Sequence, residues 1–407
     1  MVKRDRTTVI HERDRFFTEL PPPRAYALHV AVTIPLQRTL SAQSSLKDTR
    51  QANMLHIDGS YGEGGGQILR TSLSLAAITG QPIRIDRIRA NRKKPGLAIQ
   101  HLTAVRATAA ICQAQVQGDA VGSTKLEFIP GSLPQAGHYT FDVAQTTGAG
   151  SAGAVTLILQ TILLPLVLAT GDSVVTLKGG THLPWSPPIL YIEHVYLPTL
   201  RKMGVQAQVH VRAWGWYPRG GGEVELRVTG GGDNVASPLS GLQLLERGAL
   251  QQVRGLAIVT ELPSHIPQRM AMRAENLLQQ AHLKAQVQPV RERGVGPGAG
   301  IFLTGEYEYS RAGFGALGEL GVPAERVAEI ATEELLEFHA NGAPVDQFLA
   351  DQLLLPTALA SEASQYRVAE ISTHLTTNAW AIAQFGRVLI EIDKDNQLVT
   401  VAPTDRS

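Results

Sequence analysis

The sequence predicts an α+β fold: three repeated βαβαββ-type lobes, with a small α/β domain inserted into the third. Three observations carry that expectation. A glycine-rich loop runs directly into an apolar helix at residues 58–76, and the same order of loop, helix and strand returns about 90 residues later. The order then breaks between residues 238 and 340, where strands and helices follow a different succession.

Bulk properties set the frame. The chain has 407 residues, 43% of them apolar and 18% charged, which is ordinary globular composition. A formal net charge of +1 excludes a general polycation, so any nucleic-acid site must be a local basic patch. The single cysteine, Cys112, excludes a disulfide framework and fits a reducing cytoplasm. Residues 155–169 form the longest apolar run, broken by Gln160 and Pro165; a membrane span needs about 20 residues, so a buried helix is expected instead. Residues 1–53 mix Arg and Lys with Asp and Glu and lack the apolar stretch of a signal peptide. They are read as a disordered extension, or as lying upstream of a start at Met54.

The elements follow in order. Leu55–Asp58 reads as a strand, residues 59–67 as a glycine-rich loop around Glu63, and residues 68–76 as a helix. Gly80 closes this unit before the strand at Ile83, as Gly171 does before Val174, 91 residues further on. The second half also repeats: helices at 101–110 and 194–203 each precede a strand opened by Gln-Ala-Gln-Val, 93 residues apart. Two landmarks with nearly equal offsets indicate duplication. A third copy resumes near Gln347, with helices around 353–360 and 378–385. The expected division is an extension 1–53, a three-repeat domain 54–237 and 341–400, and an inserted α/β domain 238–340. The insertion holds strands at 253–260 and 301–309 and helices at 266–280 and 324–339.

Three segments carry chemistry. Glycines around Glu63 let backbone approach a ligand, and the next helix presents its positive end to an anion. A carboxylate there suits a divalent cation bridging to a polyphosphate; the plainer reading is a capped turn. Residues 87–94 hold five cations, Arg87, Arg89, Arg92, Lys93 and Lys94, in a loop leading to Gln100 and His101. Arginine suits bidentate phosphate recognition, and Arg70, Arg89 and Arg92 would hold a phosphorylated end; ordinary solvated charge is the alternative. His374 stands in a short polar turn before an apolar helix, where a neutral imidazole could capture a phosphoryl or nucleotidyl group. His101, His182 and His194 lack such a turn. Phe348, Asp351 and Gln352 pair a ring with polar groups that suit a base, or else open a helix capped by Asp346.

Taken together, Asp58–Arg70, Arg92–Leu97, Gln100–Val105, Gly179–Pro184, Tyr217–Gly222, Ala350–Gln352 and His374–Asn378 resemble the RNA 3′-terminal phosphate cyclase family, over residues 55–389. The resemblance implies three repeats like those of enolpyruvyl transferases and one inserted domain. It implies a ligase-class nucleotidyl transferase that spends ATP, with Mg²⁺ or Mn²⁺, to convert an RNA 3′-phosphate to a 2′,3′-cyclic phosphate. His374 matches the adenylylated nucleophile and Glu63 the metal-binding carboxylate. Arg70, Arg89, Arg92, Gln100 and His101 match the phosphate pocket. Phe348 and Pro184 match residues that sandwich adenine, with Leu349, Ala350, Asp351, Gln352 and Gln160 as further nucleotide positions.

Two features depart from the family pattern: the N-terminal extension, and a longer segment at 141–150. Two rivals share the scaffold. A non-catalytic relative acting in ribosomal RNA processing would lack the histidine present here at 374. An enolpyruvyl transferase would need neither nucleotide nor covalent histidine. The RNA with a 3′-terminal phosphate is the expected partner, no membrane is expected, and monomer or homodimer stays open.

Overall fold

A computed structural model of the chain describes residues 54–145, 153–231, 239–386 and 388–403. Residues 1–53 and 146–152, the latter including most of the glycines opening the second unit and half of the segment 141–150, lie outside the described residues.

Four four-stranded sheets organise the chain. The first comprises β1 (Leu55–Asp58), β2 (Ile83–Asp86), β3 (Gln115–Gln117) and β4 (Leu126–Ile129), in the order β1-β2-β4-β3. Helices α1 (Gly66–Thr79) and α2 (Ile99–Cys112) connect them. The second comprises β5 (His138–Asp142), β6 (Ser173–Gly179), β7 (Gln206–Ala213) and β8 (Gly222–Thr229), in the order β5-β6-β8-β7. Its connections are α3 (Val155–Val167) and a helical stretch made of α4 (Ile189–Tyr191), a π turn (Ile192–Tyr196) and α5 (Leu197–Arg201). In both sheets the first two strands run parallel and the remaining pairs antiparallel.

After β9 (Gln243–Leu244) come β10 (Leu250–Thr260), α6 (His265–Gln280), β11 (Ala285–Glu292), β12 (Gly298–Tyr307), β13 (Arg311–Leu317) and α7 (Ala324–Asn341). These strands form a sheet of their own, in the order β11-β10-β12-β13. The chain then runs through α8 (Gln347–Gln352), α9 (Leu354–Ala358), β14 (Ser364–Arg367), α10 (Thr373–Ala383), β15 (Val388–Asp393) and β16 (Leu398–Pro403). The last sheet, β15-β16-β14-β9, is completed by β9, which pairs parallel with β14 across the intervening unit.

That pairing ties residues before the intervening unit to the last sheet. Residues 239–244, which the sequence grouped with the segment 238–340, pack Leu239, Leu242 and Leu244 into the large apolar cluster shared by the second and last sheets. The cluster around β10–β13, α6 and α7 runs instead from Val253 to Ala343. A two-residue strand carries too little periodicity to be seen in sequence.

Local chemistry explains most element bounds. Gly80 ends α1 with φ of 70°, and Gly171 turns into β6 with φ of 95°, both in the left-handed region that glycine enters freely. β6 alternates strictly between buried and half-buried residues, as a strand with one covered face must. In α3 every residue but Gln160 is buried, so the long apolar run is a central core helix. The helical stretch predicted at 194–203 begins earlier, at Ile189, because Pro188 supplies its start and Ile189, Leu190 and Tyr191 are buried. His374 lies inside the first turn of α10 rather than before it, since Ser372 is the N-cap and its Oγ accepts from Leu375 N at 3.2 Å.

Asp346 fastens three parts of the fold. Its carboxylate caps α8 by accepting from Phe348 N at 2.9 Å and Leu349 N at 2.8 Å. It also accepts from Tyr191 Oη at 2.7 Å and from Gly313 N on β13 at 3.3 Å. Burial pushes this carboxyl up to about 6 against those four donors. Asp346→Ala is expected to cost roughly 2–4 kcal/mol, combining a lost cap with a buried Tyr191 hydroxyl left unpaired. Urea unfolding measures this, and Asp346→Asn, which keeps an acceptor, should lose less.

Candidate active site

The cleft is built where α1, α3, α8 and α10 meet. Its walls include Gln67 and Arg70 of α1, Gln160 of α3, Asp351 and Gln352 of α8 and Asn378 of α10. Thr71 Oγ1 donates to Asn378 Oδ1 at 2.6 Å, and Asn378 Nδ2 donates to the Asp351 carbonyl at 2.7 Å, so α10 is tied to both neighbours. Tyr61 stacks on Trp380 with ring centroids 4.0 Å apart, which holds the glycine-rich loop against α10.

Beside Arg70 and Asp351 of the cleft, Glu63 joins Arg92 and His374. One oxygen pairs with Arg92, and Oε2 lies 2.8 Å from His374 Nδ1. A carboxylate only accepts, so Nδ1 carries the proton and Nε2 of a neutral His374 holds the free lone pair. The hydrogen bond to Glu63 raises the His374 imidazole above its ordinary value, with burial opposing and the Glu63 and Asp351 charges adding. Burial raises the Glu63 carboxyl, but the His374 bond and charge, with Arg92 and Arg70, carry it below the usual range. Glu63 is therefore anionic at neutral pH.

His101, in the first turn of α2, is buried. Its Nδ1 accepts the Ala98 N–H at 3.2 Å, which leaves the proton of the neutral ring on Nε2. Burial, with the charges of Arg70, Arg89 and Arg92, pushes this imidazole down to about 3. It is thus a fixed neutral donor amid cations. Burial also lowers Arg70 to about 10, with Asp351 and Glu63 countering, and it remains cationic. Arg89 is half-buried, donates to the Gly96 carbonyl at 2.8 Å, and is lowered by burial and by Arg92. Asp351 is pushed up to about 6 by burial, against His374 and Arg70.

The structure therefore brings together Glu63, Arg70, Arg92, His101, Asp351 and His374, with Arg89 beside them. Gln160 Nε2 donates to Gln352 Oε1 at 2.6 Å, so these two amides share the cleft wall. Phe348 is 41% exposed and stands perpendicular to the Tyr191 ring, with centroids 6.3 Å apart. Leu349 and Ala350 are fully buried and support α8 from the core side, so neither side chain meets the cleft as it stands. Pro184 is half-buried in the loop after β6, beside Trp185, and Gln100 is half-buried at the start of α2; no described contact joins Pro184 to Phe348.

The sequence profile described as RNA 3′-terminal phosphate cyclase matches residues 61–392. The chain belongs to that family. It is 67% identical over 348 residues to an RNA 3′-terminal phosphate cyclase of Nostoc punctiforme, covering 86% of this chain and 99% of the relative. It is 65% identical over 350 residues to the one of Gloeothece citriformis, with the same two shares. A solved enolpyruvyl transferase, NikO from Streptomyces tendae, matches at 17% identity and a TM-score of 0.24, over 45% of this chain and 33% of that one.

Several residues of this cyclase-family cleft have no signal of their own in the sequence. Thr71 is an ordinary helical threonine until Asn378 meets it. Thr377 Oγ1 accepts from Glu63 N at 3.4 Å, a contact between residues 314 apart. Gly66 shows why the loop ends in glycine: a Cβ there would stand 2.3 Å from His101 Nε2 and 3.1 Å from Arg70 Nη1. Gly66→Ala should therefore displace both donors and lower activity by about 10²-fold, the scale of an ångström misplacement. Helix propensity favours the alanine by about 0.5–1 kcal/mol, so a fall in turnover without a fall in melting temperature is the expected result.

Proposed function

We propose that the chain uses ATP to convert an RNA 3′-terminal phosphate into a 2′,3′-cyclic phosphodiester, through a histidine–AMP and an RNA–adenylate. The observation that carries this reading is His374, with Nδ1 held by ionised Glu63 so that the neutral ring presents its lone pair at Nε2, beside the cations Arg70 and Arg92. Nε2 attacks the α-phosphorus of ATP, the phosphoanhydride bond breaks, and pyrophosphate leaves. A 3′-phosphate oxygen of the RNA then attacks the same phosphorus, returning the electron pair to Nε2. Finally the 2′-hydroxyl attacks the activated 3′-phosphorus and expels AMP as its proton is lost. Adenylylation supplies the leaving group that a phosphate monoester lacks, and the neighbouring hydroxyl gains the advantage of proximity.

The protein groups divide that work. Glu63 orients His374 and stabilises positive charge on the ring as the phosphorus bond forms. Arg70, Arg89, Arg92 and the His101 Nε2–H bind phosphate oxygens, with Gln100 at the same helix start, and Phe348 and Pro184 take the adenine. Gln160, Asp351 and Gln352 meet the nucleotide's polar groups, with Leu349 and Ala350 holding α8 in place.

Glu63 also fits Mg²⁺ or Mn²⁺. Each of its oxygens uses one partner and has acceptor capacity left, and hard cations near triphosphates commonly take one carboxylate with phosphate and water oxygens. Among the described residues no cluster of three His, Cys, Asp or Glu could hold an ion, so Glu63 would be the protein's contribution. Such an ion would offset charge on the triphosphate.

We read the three sheets that share one strand order as three repeated lobes, and the β10–α7 unit as the insertion between β9 and α8. No helix among the described residues is long and apolar enough to cross a membrane, and buried Cys112 suits a reducing cytoplasm.

The test is incubation with ATP labelled at the α-phosphate and Mg²⁺ or Mn²⁺, then with RNA ending in a 3′-phosphate. An acid-labile protein adduct of one AMP, chased into a cyclic RNA end, is expected. Folded protein that forms no adduct with either metal overturns the reading.

A further inference from the structure

We infer that the turn joining β7 to β8, with the facing loop between β11 and β12, holds the RNA strand upstream of its reacting end, stacking a base on Tyr217 and binding phosphate through Arg219. This rests on the proposed RNA cyclisation and extends it to a second contact region. A cavity of about 110 Å³ lies between the two loops, lined by Trp216, Tyr217, Pro218, Arg219, Gly296 and Pro297. The loops are joined by backbone, with Trp214 N donating to the Arg293 carbonyl at 3.1 Å.

The surface is aromatic and basic at once. Tyr217 is 64% exposed, and Trp185, on the segment that His182 pairs with Trp216, is 96% exposed. Trp185 also sits at φ of 62°, a costly conformation for an indole left in water. Single exposed rings are common, but rings beside unneutralised arginine form the pairing that single-stranded nucleic acid recruits. Arg219, Arg291 and Arg293 have no ion-pair partner among the described residues. The neighbouring Glu223 is shared by Lys178 at 3.4 Å and Arg212 at 3.7 Å, and Glu225 is held by Arg212 and Arg227. Exposed carboxylates stand nearby at Glu292 and Glu261, yet neither pairs with these three arginines among the described residues.

The platform is built rather than incidental. Trp216 packs so closely that a Cβ on Gly298 would stand 2.2 Å from its ring. Its Nε1 is buried without an acceptor among the described residues, a donor that a ligand oxygen can satisfy. The stem of Arg219 lies against Gly296, where a Cβ would come within 3.2 Å of its Cδ. An extended RNA strand offers both requirements, base faces for the rings and phosphates for the arginines.

Fluorescence anisotropy with a labelled decaribonucleotide 3′-phosphate, competed by a dinucleotide 3′-phosphate, tests this on the full chain. Tyr217→Ala should weaken the decanucleotide by roughly 5- to 150-fold, the range for losing one stacked base. Dinucleotide affinity and histidine–AMP formation should stay within twofold. Tyr217→Leu, which keeps apolar bulk, should weaken it similarly, and Arg219→Ala should lower the salt slope by about 0.7. Unchanged decanucleotide affinity in folded variants, or equal losses on both RNAs, overturns the inference. Failure of the cyclisation reading registers separately, as no AMP adduct in the unaltered protein.

Discussion

Replacing His374 by alanine is expected to abolish the AMP adduct and to lower cyclisation by on the order of 10⁴-fold or more, the scale of removing a covalent nucleophile. The fold should survive. The side chain is 55% exposed, it sits in a helical first turn already capped by Ser372, and alanine is the better helix former. What is lost is the Nε2 lone pair, which no neighbour can replace: His101 is buried with Nε2 protonated, and His182 is buried and pushed down to about 3 by burial alone. Intact mass after incubation with ATP and metal gives the answer directly. An adduct of undiminished yield on the variant would place the nucleophile elsewhere.

Glu63→Gln is the second large effect expected. The amide is nearly isosteric, so α1 and the glycine-rich loop should keep their places. It removes the charge that orients His374, engages Arg92, and would engage a divalent cation. Adenylylation should fall by about 10²–10⁴-fold, the usual worth of a charged group assisting proton and charge movement in catalysis. Its dependence on Mg²⁺ or Mn²⁺ should also move to higher concentration. Rates measured across a metal series separate the two contributions: a lower plateau reports orientation of His374, and a shifted midpoint reports the cation. A variant with the wild-type plateau and midpoint would leave Glu63 without either role.

The chain's local chemistry is legible without the fold. Alternating strands such as β6, the largely apolar α3 and the left-handed Gly80 and Gly171 each follow from side-chain periodicity or backbone freedom over a few residues. So do the groups that could act on phosphate, since arginine, a turn histidine and a carboxylate among glycines announce their chemistry by type. Boundaries were less legible where the signal was short, as at the two-residue β9, or where a neighbouring residue took the cap, as Ser372 did before His374.

Only the tertiary structure decided which groups meet. Gly66 is one more glycine until His101 and Arg70 close around it. Thr377 and Glu63 stand 314 residues apart, and the tautomer of His374 depends on that same carboxylate arriving from the first sheet's loop. Asp346 reads as a helix cap, yet Tyr191 and Gly313 also converge on it from elements far away in sequence. The physical reason is range. Propensity and periodicity act over one or two turns of chain, whereas a proton's position and a carboxylate's charge are set within a few ångströms, by whichever elements the buried core brings together.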